Sequence, residues 1–219
     1  MSVNETVLTI DGPSGSGKGT VSQLVAERLG WHYLDSGALY RVLGVLAMRG
    51  DLDLHDDELL AEVAKNLELR FESGEIFLGS ELISDEIRTE EAGDLASKIA
   101  TINKVREALL KWQRKCARPP GLVADGRDMG TVIFPQARHK IFLTASVSTR
   151  AQRRFKQLRD KGFNVNIRRL LYEIAERDER DMSRKISPLR PADDAVCLDS
   201  TGLGIEEVVS QVMNLIESP

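Results

Sequence analysis

Residues 12–20 read GPSGSGKGT, and they decide the fold class of this 219-residue chain. An apolar run from Val7 to Ile10 precedes them, and a helical pattern from Val21 to Leu29 follows them. A glycine-rich loop between a strand and a helix is the context that a phosphate-binding loop requires. The glycines allow backbone N–H groups to turn towards a phosphate, and the helix N-terminus adds unpaired donors. The stretch therefore predicts binding of a nucleoside triphosphate.

Two side chains of this loop carry the expected chemistry. Lys18 is long enough to reach the β- and γ-phosphates, and Thr20 offers a hydroxyl for Mg²⁺. The general pattern places Ser or Thr directly after the lysine, whereas Gly19 stands there. We expect the triphosphate to be bound by the whole loop, which consists of Gly12, Pro13, Ser14, Gly15, Ser16, Gly17, Lys18, Gly19 and Thr20.

Apolar runs alternate with helical patterns along most of the chain. Strands that alternate with helices indicate a parallel sheet covered on both faces, which is an α/β fold of three layers. The predicted strands are residues 7–10, 31–34, 122–124, 140–144 and 195–198, and the predicted helices are residues 21–29, 104–116, 149–161, 167–185 and 205–217.

A charged segment between residues 51 and 91 interrupts the alternation. Two apolar stretches there, 67–71 and 76–78, flank Glu72-Ser73-Gly74-Glu75. This pattern is typical of a β-hairpin with a four-residue loop. We therefore expect a small insertion beside the main sheet.

The composition excludes several classes of protein. Apolar residues make up 42% of the chain and charged residues 29%, which is typical of a globular protein. No apolar run is long enough for a membrane-spanning helix, and the first residues lack the features of a signal peptide. Cys116 and Cys197 form no CxxC pair, so neither a disulfide framework nor a structural zinc site is indicated. We expect a cytoplasmic protein that does not bind membranes.

Positive charge is concentrated in one segment. Residues 150–190 contain 13 Lys and Arg against 6 Asp and Glu, while the rest of the chain has 17 basic and 28 acidic residues. A DNA-binding face more often raises the charge of a whole domain. The segment therefore favours a local anionic ligand over nucleic acid, although a solvated helix of mixed charge explains the composition equally well.

Arginines follow two further strands. Arg41 lies shortly after the strand at 31–34, and Arg127 lies shortly after the strand at 122–124. Ligands of open α/β sheets bind outside the carboxyl ends of the strands. Two guanidinium groups at such ends are suited to bidentate binding of a second phosphate. In the helix at 167–185, Arg177, Asp181 and Arg184 share one face, and their spacing alone favours an intrahelical salt-bridge ladder.

Seven motifs, taken together, resemble the bacterial cytidylate kinases, which are nucleoside-monophosphate kinases. They are GPSGSGKGT, DSGALYR, VREALL, ADGRDMGTVIFP, KIFLTAS, ERDERD and DDAVCLDST. The resemblance runs in order from about Thr9 to Val208. The phosphate loop is common to many families, but the DSGALYR and DGRDMGTVIFP motifs are far more specific.

The resemblance implies a single kinase domain over residues 1–219 with three parts. The core would comprise about 1–35, 107–148 and 170–219, the nucleoside-monophosphate-binding insert about 36–106, and a short helical lid about 149–169. The insert would carry the hairpin or a small antiparallel sheet. The implied reaction is ATP-dependent phosphorylation of CMP, and of dCMP, by direct in-line transfer in a monomer.

The resemblance also assigns residues. Catalysis would use Lys18, Arg127 and Arg153, with Mg²⁺ bound through ATP and Thr20. Arg154 would join the phosphate loop in binding ATP, with Arg150 and Arg159 as further lid candidates. The CMP-binding residues would be Ser36, Arg41, Ser97, Arg106, Arg127, Asp128, Arg177, Asp181 and Arg184. An acceptor carboxylate such as Asp128 suits the 4-amino group of cytosine, whereas the 4-carbonyl of uracil would be repelled.

This chemistry agrees with the residue types, because phosphoryl transfer depends on positioning and charge neutralisation more than on a general base. Three alternatives remain open at this stage: a kinase for AMP, UMP or shikimate, a module that hydrolyses nucleoside triphosphate to move a partner, and a nucleic-acid-binding protein. The absence of an NKxD motif disfavours a GTPase.

Overall fold

The computed structural model describes residues 6–50, 52–72, 75–160 and 162–217. Outside these ranges lie the N-terminal residues in which no signal peptide was expected, the middle of the predicted hairpin loop, and Lys161 at the end of a predicted helix. The chain divides into two compact units, one formed by residues 1–35 and 116–219 and the other by residues 36–115.

The first unit contains a five-stranded sheet whose strands are β1 (Val7–Asp11), β2 (His32–Asp35), β6 (Leu122–Gly126), β7 (His139–Thr144) and β8 (Val196–Asp199). The strand order is β2-β6-β1-β7-β8, and every neighbouring pair is parallel. Its helices are α1 (Lys18–Leu29), α7 (Val147–Asp160), α8 (Ile167–Met182) and α9 (Ile205–Glu217), with a π-helical turn at Met129–Ile133.

The central strands are apolar because they are covered on both faces. All five residues of β1 and of β6 are buried. Leu8 and Ile10 of β1 pack in one cluster with Val21 and Val25 of α1 and Val209 of α9. The α/β class, the parallel sheet and all five predicted strands are therefore confirmed, with strand ends shifted by one or two residues.

Strand order positions the phosphate loop. The chain leaves β1 through α1 and returns as β2, beyond β6, whereas it leaves β6 and returns as β7, on the other side of β1. Connections that depart in opposite directions from neighbouring strands open a crevice at their carboxyl ends. Residues 12–17 follow β1 directly and lie at this switch point.

The second unit combines helices with a small antiparallel sheet. Its helices are α2 (Ser36–Met48), α3 (Asp57–Lys65), α4 (Ser84–Ile87), α5 (Glu90–Ile99) and α6 (Asn103–Lys115). Its sheet consists of β3 (Leu69–Glu72), β4 (Glu75–Leu78) and β5 (Glu81–Leu82). Leu39 and Leu43 of α2 pack with Leu60 of α3 and Leu109 of α6.

Two local predictions need correction. Strand pairing in the hairpin extends to Glu72 and Glu75, so the four-residue loop was wrong. Helix α8 ends at Met182 rather than at Lys185. It ends early because the Asp181 carbonyl accepts the Leu189 N–H (2.8 Å), which takes the place of the bond that Lys185 would donate in a continuing helix.

None of the helices in the described ranges is both long and apolar enough to cross a membrane.

Candidate active site

The phosphate loop requires glycine for steric and conformational reasons. A Cβ atom at Gly12 would lie 2.0 Å from the carbonyl oxygen of Leu143, so no side chain fits there. Gly15 and Gly17 have φ values of 77° and 92°, in the left-handed region that favours glycine. The loop thus takes a path that other residues would not allow.

Cationic side chains bind the carbonyl groups of the loop. Lys18 Nζ donates to Pro13 O (3.3 Å), Arg150 donates to Ser14 O (3.0 Å), and Arg153 donates to Ser16 O (3.1 Å). These three carbonyls are therefore held in fixed directions. Helix α1 begins at Lys18, directly after these carbonyls. The N–H groups of the loop and the unpaired N–H groups of the first helical turn therefore form a site that can bind an anion.

Lys18 forms a buried ion pair with Asp125, the fourth residue of β6. Lys18 Nζ lies 3.8 Å from Asp125 Oδ1. Burial, followed by the positive charge of Arg127, lowers the pKa of Lys18. Burial raises the pKa of Asp125, against the opposing effect of the Lys18 charge. An anionic phosphate beside Lys18 would favour the charged ammonium group.

The same carboxylate explains the departure at Gly19 from the general motif. A Cβ atom at Gly19 would lie 3.2 Å from Asp125 Oδ2, which is tighter than nearly all such contacts. Asp125 Oδ2 also accepts a hydrogen bond from Tyr33 Oη (3.4 Å). The space next to the helix N-terminus is thus occupied by an acidic group rather than by a Ser or Thr side chain.

The residues around Lys18 fit a magnesium ion carried by a phosphate ligand. Asp125 Oδ1 is buried and has no hydrogen-bond partner among the described atoms, and carboxylate oxygen is a ligand that Mg²⁺ prefers. The exposed Thr20 offers a hydroxyl oxygen on the same helix turn as Lys18. No cluster of three or more His, Cys, Asp or Glu in the described ranges could hold a metal alone.

A buried carboxylate anchors the loop that carries Arg127 and Asp128. Asp11, the last residue of β1, accepts the N–H groups of Met129 (2.9 Å) and Gly130 (2.8 Å). Burial raises the pKa of Asp11 to about 7, although these two hydrogen bonds oppose the change. The first turn after β6 is therefore tied to the strand that precedes the phosphate loop.

Three of the predicted CMP-binding residues meet in one polar cluster. Arg127 Nε donates to Asp181 Oδ2 (3.1 Å), and Arg184 pairs with the other oxygen of Asp181. Asp181 is 1% exposed. The pairing of Asp181 with Arg184 that the spacing predicted is therefore present, but Arg184 lies beyond the end of α8 at Met182, so the pair is not within the helix. Arg127, from a distant part of the sequence, joins the pair. Arg177, one turn earlier in α8, is among the charges that lower the pKa of Lys18.

Comparisons with known proteins agree with this geometry. The sequence model of the cytidylate kinase family matches residues 8–218. The chain belongs to the cytidylate kinase family. It is 52% identical to the cytidylate kinase of Shewanella denitrificans, covering 100% of this chain and 99% of that protein. It is 55% identical to the cytidylate kinase of Aeromonas hydrophila, with 96% and 94% covered.

A solved structure shares the fold. The crystal structure of an uncharacterized protein from Eubacterium ventriosum matches with a TM-score of 0.56 and 13% identity. The match covers 98% of this chain and all of that one. At this identity the likeness concerns the fold alone.

In this member of the cytidylate kinase family, the unit of residues 36–115 carries four of the predicted CMP-binding residues. Ser36 and Arg41 belong to α2, Ser97 to α5 and Arg106 to α6. Ser36 and Ser97 are buried. Arg106 donates to Ala100 O (3.3 Å) and Tyr40 Oη (3.5 Å). Arg41 donates to Ile87 O (2.8 Å).

The arginines that were predicted for a lid in this cytidylate kinase family member have different surroundings. Arg150 is 3% exposed and forms a bidentate pair with Asp178 of α8. Arg153 donates to Ser16 O and Ser200 O. Arg154 donates to Gln157 Oε1 (2.7 Å), and the Arg159 guanidinium lies over the Phe155 ring.

Two residues beside the predicted site escaped the sequence analysis: Asp11 and Gln113. Asp125 and Asp178 were noticed only as members of the ADGRDMGTVIFP and ERDERD motifs, without a role of their own, and for Asp125 the place at a strand end was the available signal. For Gln113 no sequence signal existed, since a glutamine within an amphipathic helix is usually solvated.

Proposed function

We propose that this protein transfers the γ-phosphate of ATP to CMP, giving CDP and ADP. A phosphate oxygen of CMP attacks the γ-phosphorus of ATP, and the bond from that phosphorus to the β,γ-bridging oxygen breaks. The electron pair of the broken bond leaves with ADP. The CMP phosphate is already anionic, so the reaction requires no strong general base.

The observation that carries the proposal is the phosphate loop with Lys18 beside the buried Asp125. The loop amides and the N-terminus of α1 offer donors to the phosphates of ATP. Lys18 would neutralise the charge that develops on the transferred group. Membership in the cytidylate kinase family, whose relatives above are named for CMP, supports CMP as the acceptor.

When bound with ATP, Mg²⁺ would neutralise negative charge on the phosphates. The ion would arrive bound to ATP, and Asp125 and Thr20 are the residues of this chain that would hold it. Neither side chain needs to lose a proton to the reaction.

Arginine side chains would neutralise the remaining negative charge of the phosphate groups. We propose Arg41 and Arg127 for the CMP phosphate, and Arg153 and Arg154 for the phosphates of ATP. Asp181 supports the Arg127 assignment, because it fixes the Nε edge of that guanidinium in one direction. For recognition of the cytosine base we propose Ser36, Ser97, Arg106, Asp128 and Arg184. For the sugar hydroxyls and the nearby phosphate we propose Arg177 and Asp181.

The finer features belong to the same proposal. We propose that dCMP is also an acceptor and that the protein acts as a monomer in the cytoplasm, without nucleic acid or membrane partners. We also propose that residues 36–106 form the CMP-binding insert and that residues 149–169 form the lid, within one kinase domain.

An acceptor panel tests the proposal. ADP formation would be followed with ATP and Mg²⁺ against CMP, dCMP, UMP, AMP and GMP, and without any acceptor. We expect the highest kcat/KM with CMP and dCMP. A different leading nucleotide would contradict the base-recognition assignments, and equal ADP release without an acceptor would favour a hydrolysing module.

A further inference from the structure

Gln113 of α6 is an amide buried completely inside the unit of residues 36–115, with 0% of its surface exposed. Its Oε1 atom accepts a hydrogen bond from Ser36 Oγ at 2.7 Å. Its Nε2 atom has no hydrogen-bond partner within the described part of the chain. A buried amide with only one of its two polar atoms hydrogen-bonded lowers the stability of the fold, and a methionine or leucine at the same core position would not carry this free-energy penalty. A buried polar group of this kind calls for an explanation beyond packing.

The hydrogen bond restricts what Ser36 can offer a ligand. A serine hydroxyl has one O–H donor and two acceptor lone pairs. Because the O–H of Ser36 is directed at Gln113 Oε1, only the lone pairs remain for another group. Ser36 is 4% exposed, so water does not compete freely for this arrangement.

A second contact holds the same two helices. Arg106 donates to Tyr40 Oη (3.5 Å), so α6 also contacts α2 one turn beyond Ser36. Tyr40 lies four residues after Ser36, and Gln113 lies seven residues after Arg106, which places each pair on one helix face. Two polar contacts, Ser36 with Gln113 and Tyr40 with Arg106, therefore join α2 to α6.

We propose that Gln113 is a positioning residue that sets the preference for cytosine over uracil by holding Ser36 as a hydrogen-bond acceptor. The inference rests on the proposed function, in which Ser36 contacts the base. The 4-amino group of cytosine donates hydrogen bonds, whereas the 4-carbonyl group of uracil only accepts them. The 4-amino group has two N–H bonds, and one of them would be donated to an oxygen lone pair of Ser36. Because the O–H of Ser36 is donated to Gln113, Ser36 can only accept a hydrogen bond from the base, which stabilises bound cytosine and disfavours uracil.

A double-mutant cycle tests this role. The variants are Gln113→Met, which keeps the side-chain volume but removes the acceptor, Ser36→Ala, and the double variant. Lys111→Ala, at an exposed position of the same helix, is the control. The readout is the ratio of kcat/KM for CMP to kcat/KM for UMP.

We expect Gln113→Met to lower this ratio about tenfold, the effect of about one hydrogen bond, because the freed Ser36 hydroxyl can then donate to uracil. Ser36→Ala should lower the ratio as well, and adding Gln113→Met to it should produce no further change. Non-additivity of this kind is expected only if Gln113 acts through Ser36. The control should keep the ratio of the unmodified protein.

An unchanged ratio in Gln113→Met, or a further independent drop in the double variant, would overturn the inference. If Gln113→Met fails to fold, Gln113→Leu replaces it in the cycle. The Ser36→Ala variant also tests the inference by itself, since an unchanged ratio of kcat/KM for CMP to kcat/KM for UMP would contradict the role of Ser36 as an acceptor. Failure of the proposed function would appear separately, as absent CMP phosphorylation by the unmodified protein.

Discussion

Lys18 of the phosphate loop and Asp125 of β6 form an ion pair across neighbouring strand ends, with Nζ 3.8 Å from Oδ1. Register explains the approach, because Ile10 of β1 is paired with Asp125 and the phosphate loop begins two residues later. The carboxylate thereby reaches the lysine that would face the transferred phosphate. Removing one charge of this pair should change the titration of the other.

Asp125→Asn removes the negative charge that raises the pKa of Lys18. The pKa of Lys18 should then fall further, and the basic limb of the pH profile of kcat/KM for ATP should move to lower pH, since this parameter reports the free enzyme. We also expect turnover to fall by about 10²-fold or more, the usual effect of removing one electrostatic group from a reacting site. A variant that kept both the rate and the basic limb would show that Asp125 does not act on Lys18.

Asp11 should make the stability of the protein depend on pH. Its pKa is raised from 3.8 to about 7 in the folded state, so between these values the folded protein binds a proton that the unfolded chain has released. Stability from this group is therefore present at low pH and is lost as the pH rises towards 7. In Asp11→Asn, which cannot ionise, this loss should be absent.

Urea denaturation of both proteins between pH 5 and pH 8 measures the effect. The free energy of unfolding of the unmodified protein, relative to the variant, should decrease by about 2.5 kcal/mol over this range, nearly all of it below pH 7. If the difference in the free energy of unfolding between the two proteins stayed constant with pH, the pKa of Asp11 would not be raised in the folded state. The variant should also be less stable at pH 5, because its amide nitrogen cannot accept the N–H of Met129 or Gly130.

Asp178→Ala should loosen the phosphate loop. It leaves the buried Arg150 guanidinium without its carboxylate partner, and the same guanidinium binds Ser14 O. Breaking a buried pair costs about 3 kcal/mol, so a loss of that order in the free energy of unfolding is expected, together with a higher KM for ATP. Glu176→Ala removes an exposed pair with Arg180 in the same helix and should cost less than about 1 kcal/mol. Equal effects of the two substitutions would contradict the account.

Arg41→Ala should weaken the use of CMP. The side chain is held by Ile87 O at 2.8 Å, which directs its guanidinium before any ligand binds. We expect the KM for CMP to rise by about tenfold or more, as for loss of a charge-assisted hydrogen bond, with a smaller change for ATP. Arg49→Ala, which removes exposed ion pairs with Glu81 and Glu86, is the control and should leave both values unchanged. An unchanged KM for CMP in Arg41→Ala would mean that the phosphate is bound elsewhere.

The sequence was sufficient for the fold because its decisive patterns are local. The apolar run before Gly12 and the helix after it identify the phosphate loop, and uninterrupted apolar runs identify strands buried on both faces. The hairpin was also apparent, although pairing of Glu72 with Glu75 shortens its loop, because strand ends depend on partner strands.

Side-chain roles that depend on distant contacts were not accessible. Asp178 lies in a charged run that is typical of an exposed salt-bridge ladder, yet its partner, Arg150, lies 28 positions away in another helix. The burial of Asp11 depends likewise on a turn more than a hundred residues later in the chain. Gln113 shows the same limit, since only the tertiary structure reveals that this side chain is buried.

Transfer of labelled phosphate tests the central claim most directly. ATP labelled at the γ-position would be incubated with CMP and Mg²⁺, and the label would be followed chromatographically. The account predicts that the label appears in CDP. Lys18→Ala should reduce this transfer by about 10²–10³-fold while CMP still binds in calorimetry, and Lys65→Ala, at an exposed position of α3, should not reduce it. Label that appears as free phosphate, or in CDP at the same rate without Lys18, would contradict the account.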